Sequence, residues 1–169
     1  MNRTIESVLR FVNVTTSGLL AGSLGFGEAA LVPGWERERP QGADARSSEQ
    51  AIAAWFNAIG PLALATSITL AIGTRQTAPV KRLLDSVSAI GLAGVLAATI
   101  MVTVPINQKL EEEAPADYPR DQSHLLARNW SRAHAVRTSL GIGAFLCAAA
   151  ANMPARPSVD WRQPGHQSL

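Results

Sequence analysis

The distribution of apolar residues is the strongest constraint on what this chain can fold into. Charged residues fall in short blocks, and four apolar runs lie between them, at roughly 11–33, 51–73, 83–104 and 135–153. Each run is long enough for a helix, rising 1.5 Å per residue, to cross a hydrocarbon layer about 30 Å thick. Four such runs in 169 residues leave little polar helix surface for a soluble bundle, although segments this rich in Gly, Ala, Ser and Thr can also be buried soluble helices. The expectation is one all-α domain over 1–153, an integral membrane four-helix bundle of up-down topology. The tail at 154–169 holds Pro154, Pro157, Pro164 and Gly165 among few apolar residues, a composition that predicts disorder.

The formal charge of +2 comes from Lys and Arg scattered over segment ends. No basic stripe forms, so nothing points to nucleic acid. The single cysteine, Cys147, excludes an intrachain disulfide and reads as a small packing residue. The first run follows Arg3 and Arg10 and ends near Glu28 and Pro33 without a clear cleavage site, so it reads as a retained span rather than a signal peptide.

Gly18, Gly22 and Gly25 give the first run a small face, and Gly91 and Gly94 give one to the third. Such faces let helices, or copies of the chain in a homo-oligomer, approach closely in a bilayer. Glu28 lies inside an apolar run, where a carboxylate is costly unless it is paired or functional; its plainer role is an interfacial acid. Trp35 and Trp55 suit an aromatic belt at the membrane surface. Asn57 is either a solvated interfacial residue or part of a pocket lining. Gly60-Pro61 predicts a kink in the second span. Asp85 is expected to pair with the nearby Arg82 or Lys81, or to favour its own helix N-terminus. Val104-Pro105 is expected to end the third span, because proline disfavours helical geometry in the residue before it.

The fourth span opens with Trp130, His134, Arg137 and Gly141, spaced i, i+4, i+7 and i+11. At 100° per residue these fall within about 60° of one another and form one stripe. Up-down topology carries Glu28, Trp55, Asn57, Asn107, Trp130, His134 and Arg137 to one mouth of the bundle. Seven Lys or Arg lie on the side of the termini and eight on the mouth side. Only the basic density of the short 74–82 turn favours an N-in, C-in orientation in a bacterial inner membrane.

The motif Val104-Pro105-Ile106-Asn107, a polar loop, then Trp130-x3-His134-x2-Arg137-Thr138 resembles the DUF1772, or anthrone oxygenase-like, family of four-span membrane proteins. The first span, with its small residues and its acid before Val32-Pro33, is similar to bacterial members. The resemblance implies oxidation of a planar polyphenolic or quinol-type molecule by O₂ without metal or flavin. A substrate CH₂ flanked by two aryl rings is acidic, and its carbanion reacts with O₂ directly. Such chemistry needs a base, donors for the developing oxyanion and a pocket that excludes water.

On that resemblance His134 is the catalytic base, because imidazole titrates near neutral pH, and Arg137 with Asn107 steadies the oxyanion. Trp130 stacks on a planar ring, Glu28 orients His134 or neutralises Arg137, and Trp55 and Asn57 line the substrate site. Each has a plainer role as a headgroup anchor, belt residue or helix cap. Three dispersed histidines (His124, His134, His166) make no metal-ligand set, and a lone His134 is a weak basis for haem ligation. Phosphate loops, nucleophile elbows and dinucleotide fingerprints are absent from the sequence. The rival reading is a non-catalytic membrane protein that binds a lipid, quinone or protein partner at the same mouth.

Overall fold

A computed structural model describes residues 2–31, 43–73, 79–112 and 120–153. Five α-helices fill these segments: α1 (Arg3–Phe26), α2 (Ala43–Gly73), α3 (Pro79–Ala98), α4 (Val104–Glu112) and α5 (Arg120–Asn152). Two short π-helical segments extend the ladder, Gly27–Leu31 after α1 and Thr99–Thr103 between α3 and α4. Trp35 and the tail from 154 onward lie outside the described residues.

Asn2 caps α1, its side-chain oxygen accepting the amide of Thr4. Helix α2 continues through Pro61. The four long helices form a ring in which α1 packs on α2 and α5, and α3 packs on the same two. Their directions alternate. Arg10 of α1 meets Asp85 near the start of α3, while Leu24 near the end of α1 meets His134 and Thr138 early in α5. The result is the expected all-α up-down bundle.

Leu20, Leu24, Ile59, Ala63, Leu92, Val95 and Ala144 form the apolar core. Close approach depends on glycine at the α3–α5 contact: a methyl group on Gly91 would lie 3.1 Å from Cβ of Ala144 and 3.3 Å from the Leu140 carbonyl. Gly18 instead faces the Phe145 ring, and Gly22 and Gly25 face open space.

Burial is inverted relative to a soluble bundle. Buried residues include Arg10, Asn13, Ser17, Ser67, Asp85, Ser88, His134 and Arg137, whereas Phe11, Phe26, Ile90, Ile100, Met101 and Leu146 are exposed. Three segments are long and apolar enough to cross a membrane: Gln50–Gly73, Pro79–Lys109 and Arg128–Asn152. At most 33% of the most apolar stretch of any of them is buried in the bundle, so their apolar surface points outward. This is a membrane protein.

Three expectations are corrected. Helix α1 does not reach the apolarity of a span among the described residues, because Arg10, Asn13, Thr16 and Ser17 form a polar face turned into the bundle. The chain does not leave helical geometry at Val104-Pro105: Val104 is itself helical, its amide donates to the Thr99 carbonyl, and Pro105 follows in the first turn of α4. Asp85 pairs with Arg10, 75 residues away, rather than with its neighbours Lys81 or Arg82.

Candidate functional site

Both π segments flank the first membrane turns of α5. A π turn widens the ladder by one residue and re-aims the side chains around it, which is why such turns recur at functional sites. After α1, the Gly27 amide is shared between the carbonyls of Ser23 and Leu24. The Leu24 carbonyl also accepts from His134 Nε2 at 3.2 Å and from Thr138 Oγ1 at 3.4 Å. Between α3 and α4, Thr103 is buried and its Oγ1 accepts from Arg137 Nη1 at 3.1 Å. One π segment thus presents Glu28, and the other ends on the acceptor for Arg137.

His134 and Arg137 are both buried. A backbone carbonyl can only accept, so Nε2 of His134 carries hydrogen. In the neutral ring this leaves the lone pair on Nδ1. Nδ1 is buried and has no hydrogen-bond partner among the described residues, and the same holds for Nε of Arg137 and Oε2 of Glu28. Buried polar atoms are nearly always bonded, so three such atoms on adjoining side chains mark a place built for something else. Glu28 Oε2 lies 3.9 Å from His134 Nε2, beyond a hydrogen bond. Trp130 stacks on His134, with ring centroids 5.1 Å apart and planes 5° from parallel. The Arg137 guanidinium lies 5.9 Å from the centroid of the Phe56 ring, within cation–π range.

Of the residues expected at the mouth, Glu28, Trp130, His134 and Arg137 come together. Trp55 lies at the edge: it is exposed, and its indole N–H donates to Ser23 Oγ at 3.1 Å. Asn57 and Asn107 are exposed. Asn107 falls beyond the cluster because the helix continues past Pro105 and carries it a turn past Thr103.

The sequence reading missed the Leu24 carbonyl, Gly27, Phe56, Thr103 and Thr138. Only Thr138 had a signal, one residue beyond Arg137. Gly27 is a matter of space, since a methyl group there would lie 2.9 Å from His134 Nε2. Among the described residues no three His, Cys, Asp or Glu side chains converge.

Chemically, the cluster offers a lone pair at Nδ1 of His134 and a charged donor at Nε of Arg137. They sit three residues apart on one helix face, where neighbours stand about 5–6 Å apart at Cβ. Together they define a membrane bundle with a buried base–cation pair at one end. A sequence profile of the Anthrone oxygenase family matches residues 49–147, from early in α2 to near the end of α5. The chain belongs to that family. No curated protein and no solved structure matches it.

Proposed function

We propose that this protein is an oxygenase that removes a proton from a planar, acidic C–H substrate of the anthrone type and lets the carbanion react with O₂. The observation that carries this reading is the pair of buried nitrogens, His134 Nδ1 and Arg137 Nε, that have no hydrogen-bond partner among the described residues. Nδ1 takes one proton from the substrate CH₂. The negative charge spreads over the rings onto the ketone oxygen, which becomes a phenolate, and Arg137 Nε–H donates to that oxygen. O₂ adds at the carbanion carbon, and the peroxide takes back the proton held on His134. Loss of the second C–H proton, with cleavage of the O–O bond, leaves a carbonyl and one water. CH₂ and O₂ thus become C=O and H₂O. Thr103 holds the guanidinium, and the Leu24 carbonyl, which also accepts from Thr138, holds the imidazole. Asn107, Asn57 and Trp55 stay in the proposal only as residues at the rim of the entrance.

The test is oxygen uptake by the purified protein in detergent with a hydroxylated anthrone, scored for one O₂ consumed per quinone formed. His134→Ala and Arg137→Gln are each expected to lose about 100-fold or more of the rate above buffer, the usual contribution of a positioned base or oxyanion donor. Equal rates in protein, variants and buffer, with the anthrone still bound, would leave the reading of a non-catalytic binding protein. A bilayer location and a planar aromatic or quinone-like ligand are common to both readings.

A further inference from the structure

A second polar cluster lies at the opposite end of the bundle and takes no part in the chemistry above. Arg10 donates from Nη1 and Nη2 to Oδ1 and Oδ2 of Asp85, both at 3.3 Å, and from Nε to Glu6 at 3.0 Å. The Asp85 side chain is 0% exposed and that of Arg10 9%. One turn deeper, Asn13 Oδ1 accepts from Ser67 at 2.8 Å and from Thr66 at 3.2 Å, and Ser67 reaches Ser88 at 3.3 Å. Asn152 of α5 reaches the Arg10 carbonyl at 3.5 Å. The cluster joins all four long helices.

We infer that the Arg10–Asp85 pair is the clasp that draws α1 into the membrane, as a helix that does not insert by itself. Among the described residues α1 is the one long helix without a stretch apolar enough to cross a membrane, and its buried face carries Arg10, Asn13, Thr16 and Ser17. A lone guanidinium is costly in hydrocarbon, and pairing with both oxygens of a buried carboxylate offsets that cost. Helix α3 carries Asp85 within a span that is strongly apolar over Pro79–Lys109, so it tolerates a single acid on insertion and offers the partner. Insertion of α1 therefore waits on α3. The dependence is asymmetric: α1 needs Asp85 more than α3 needs Arg10.

Ala29, exposed at the far end of α1, reports which side that end reaches. The full chain with Ala29→Cys and Cys147→Ser is synthesised into sealed vesicles, and its thiol is labelled with a membrane-impermeant maleimide added on either side. The clasp predicts that Asp85→Leu cuts labelling on the side opposite the termini at least twofold and moves it to the side of the termini. Arg10→Leu, which makes α1 more apolar, leaves labelling as in the parent, as does Arg10→Leu with Asp85→Leu. The exchange Arg10→Asp with Asp85→Arg is also expected to restore it, because pairing is regained. Vesicle labelling of newly made chains reads insertion even where a variant is later degraded. Unchanged labelling in Asp85→Leu, or equal losses in the two single variants, would overturn the proposal.

Discussion

Gly27 and His134 are fitted to one another. A methyl group on Gly27 would stand 2.9 Å from Nε2 and 3.1 Å from Cε1 of the imidazole. The ring lies against the backbone of α1, and this closeness lets Nε2 reach the Leu24 carbonyl. Gly27→Ala cannot be absorbed by a flexible side-chain tip, because both the methyl and the stacked ring are held. The variant is expected to lose about 1–3 kcal/mol of stability, as overpacked cores do. It should also lose anthrone turnover out of proportion to its folded fraction. Thermal unfolding in detergent and oxygen uptake on the same sample check both.

Thr103 Oγ1 accepts from Arg137 Nη1 at 3.1 Å within the bundle. Thr103→Val keeps shape and removes the hydroxyl, leaving a buried guanidinium nitrogen without its bond. The expected loss is about 1–3 kcal/mol. Thr69→Val is the control: that hydroxyl is exposed and bonds only within its own helix, to Ala65, so a change within about 0.5 kcal/mol is expected. Denaturation midpoints of the two variants, compared side by side, decide it.

Glycine at the helix contacts divides in two. Gly91→Ala places a methyl 3.1 Å from Ala144 Cβ and 3.3 Å from the Leu140 carbonyl, and the backbone there cannot step aside. It should separate α3 from α5 and lower the melting temperature. Gly22 and Gly143 have nothing within 4 Å of an added methyl. Alanine there should be neutral, or stabilise by up to about 1 kcal/mol through helix propensity.

Trp130 covers one face of His134 in a near-parallel stack at 5.1 Å. Trp130→Phe retains a ring in that place, whereas Trp130→Leu removes it. The leucine variant is expected to lose about 0.5–1.5 kcal/mol beyond its change in buried area, with a matching loss of near-ultraviolet circular dichroism. The phenylalanine variant should keep most of the stability.

What was legible in the sequence was what periodicity carries. Run lengths gave the bundle, and the spacing of Trp130, His134 and Arg137 gave the face that turns inward at the mouth. Alternating helices brought Glu28 to that face. What was not legible arises where regular periodicity fails or where partners are distant. The π turn at Thr99–Thr103 shifts the register by one residue, so Thr103 could not be placed by counting turns, and Leu24 acts through its backbone carbonyl, which no side-chain pattern marks. The helix continues past Pro105, and Asn107 is exposed. Asp85 has Lys81 and Arg82 close in sequence, and only the packing of α1 on the interior shows that a residue 75 positions earlier takes its carboxylate.

The central claim is that His134 carries hydrogen on Nε2, toward Leu24, and holds Nδ1 open for a substrate proton. With His124→Gln and His166→Gln leaving one histidine, nitrogen NMR of the ¹⁵N-labelled imidazole reads this tautomer directly. The account predicts the Nε2–H form in the free protein, and a change at Nδ1 when an anthrone is added without O₂. An Nδ1–H ring, or an Nδ1 signal that the anthrone leaves untouched, would contradict it.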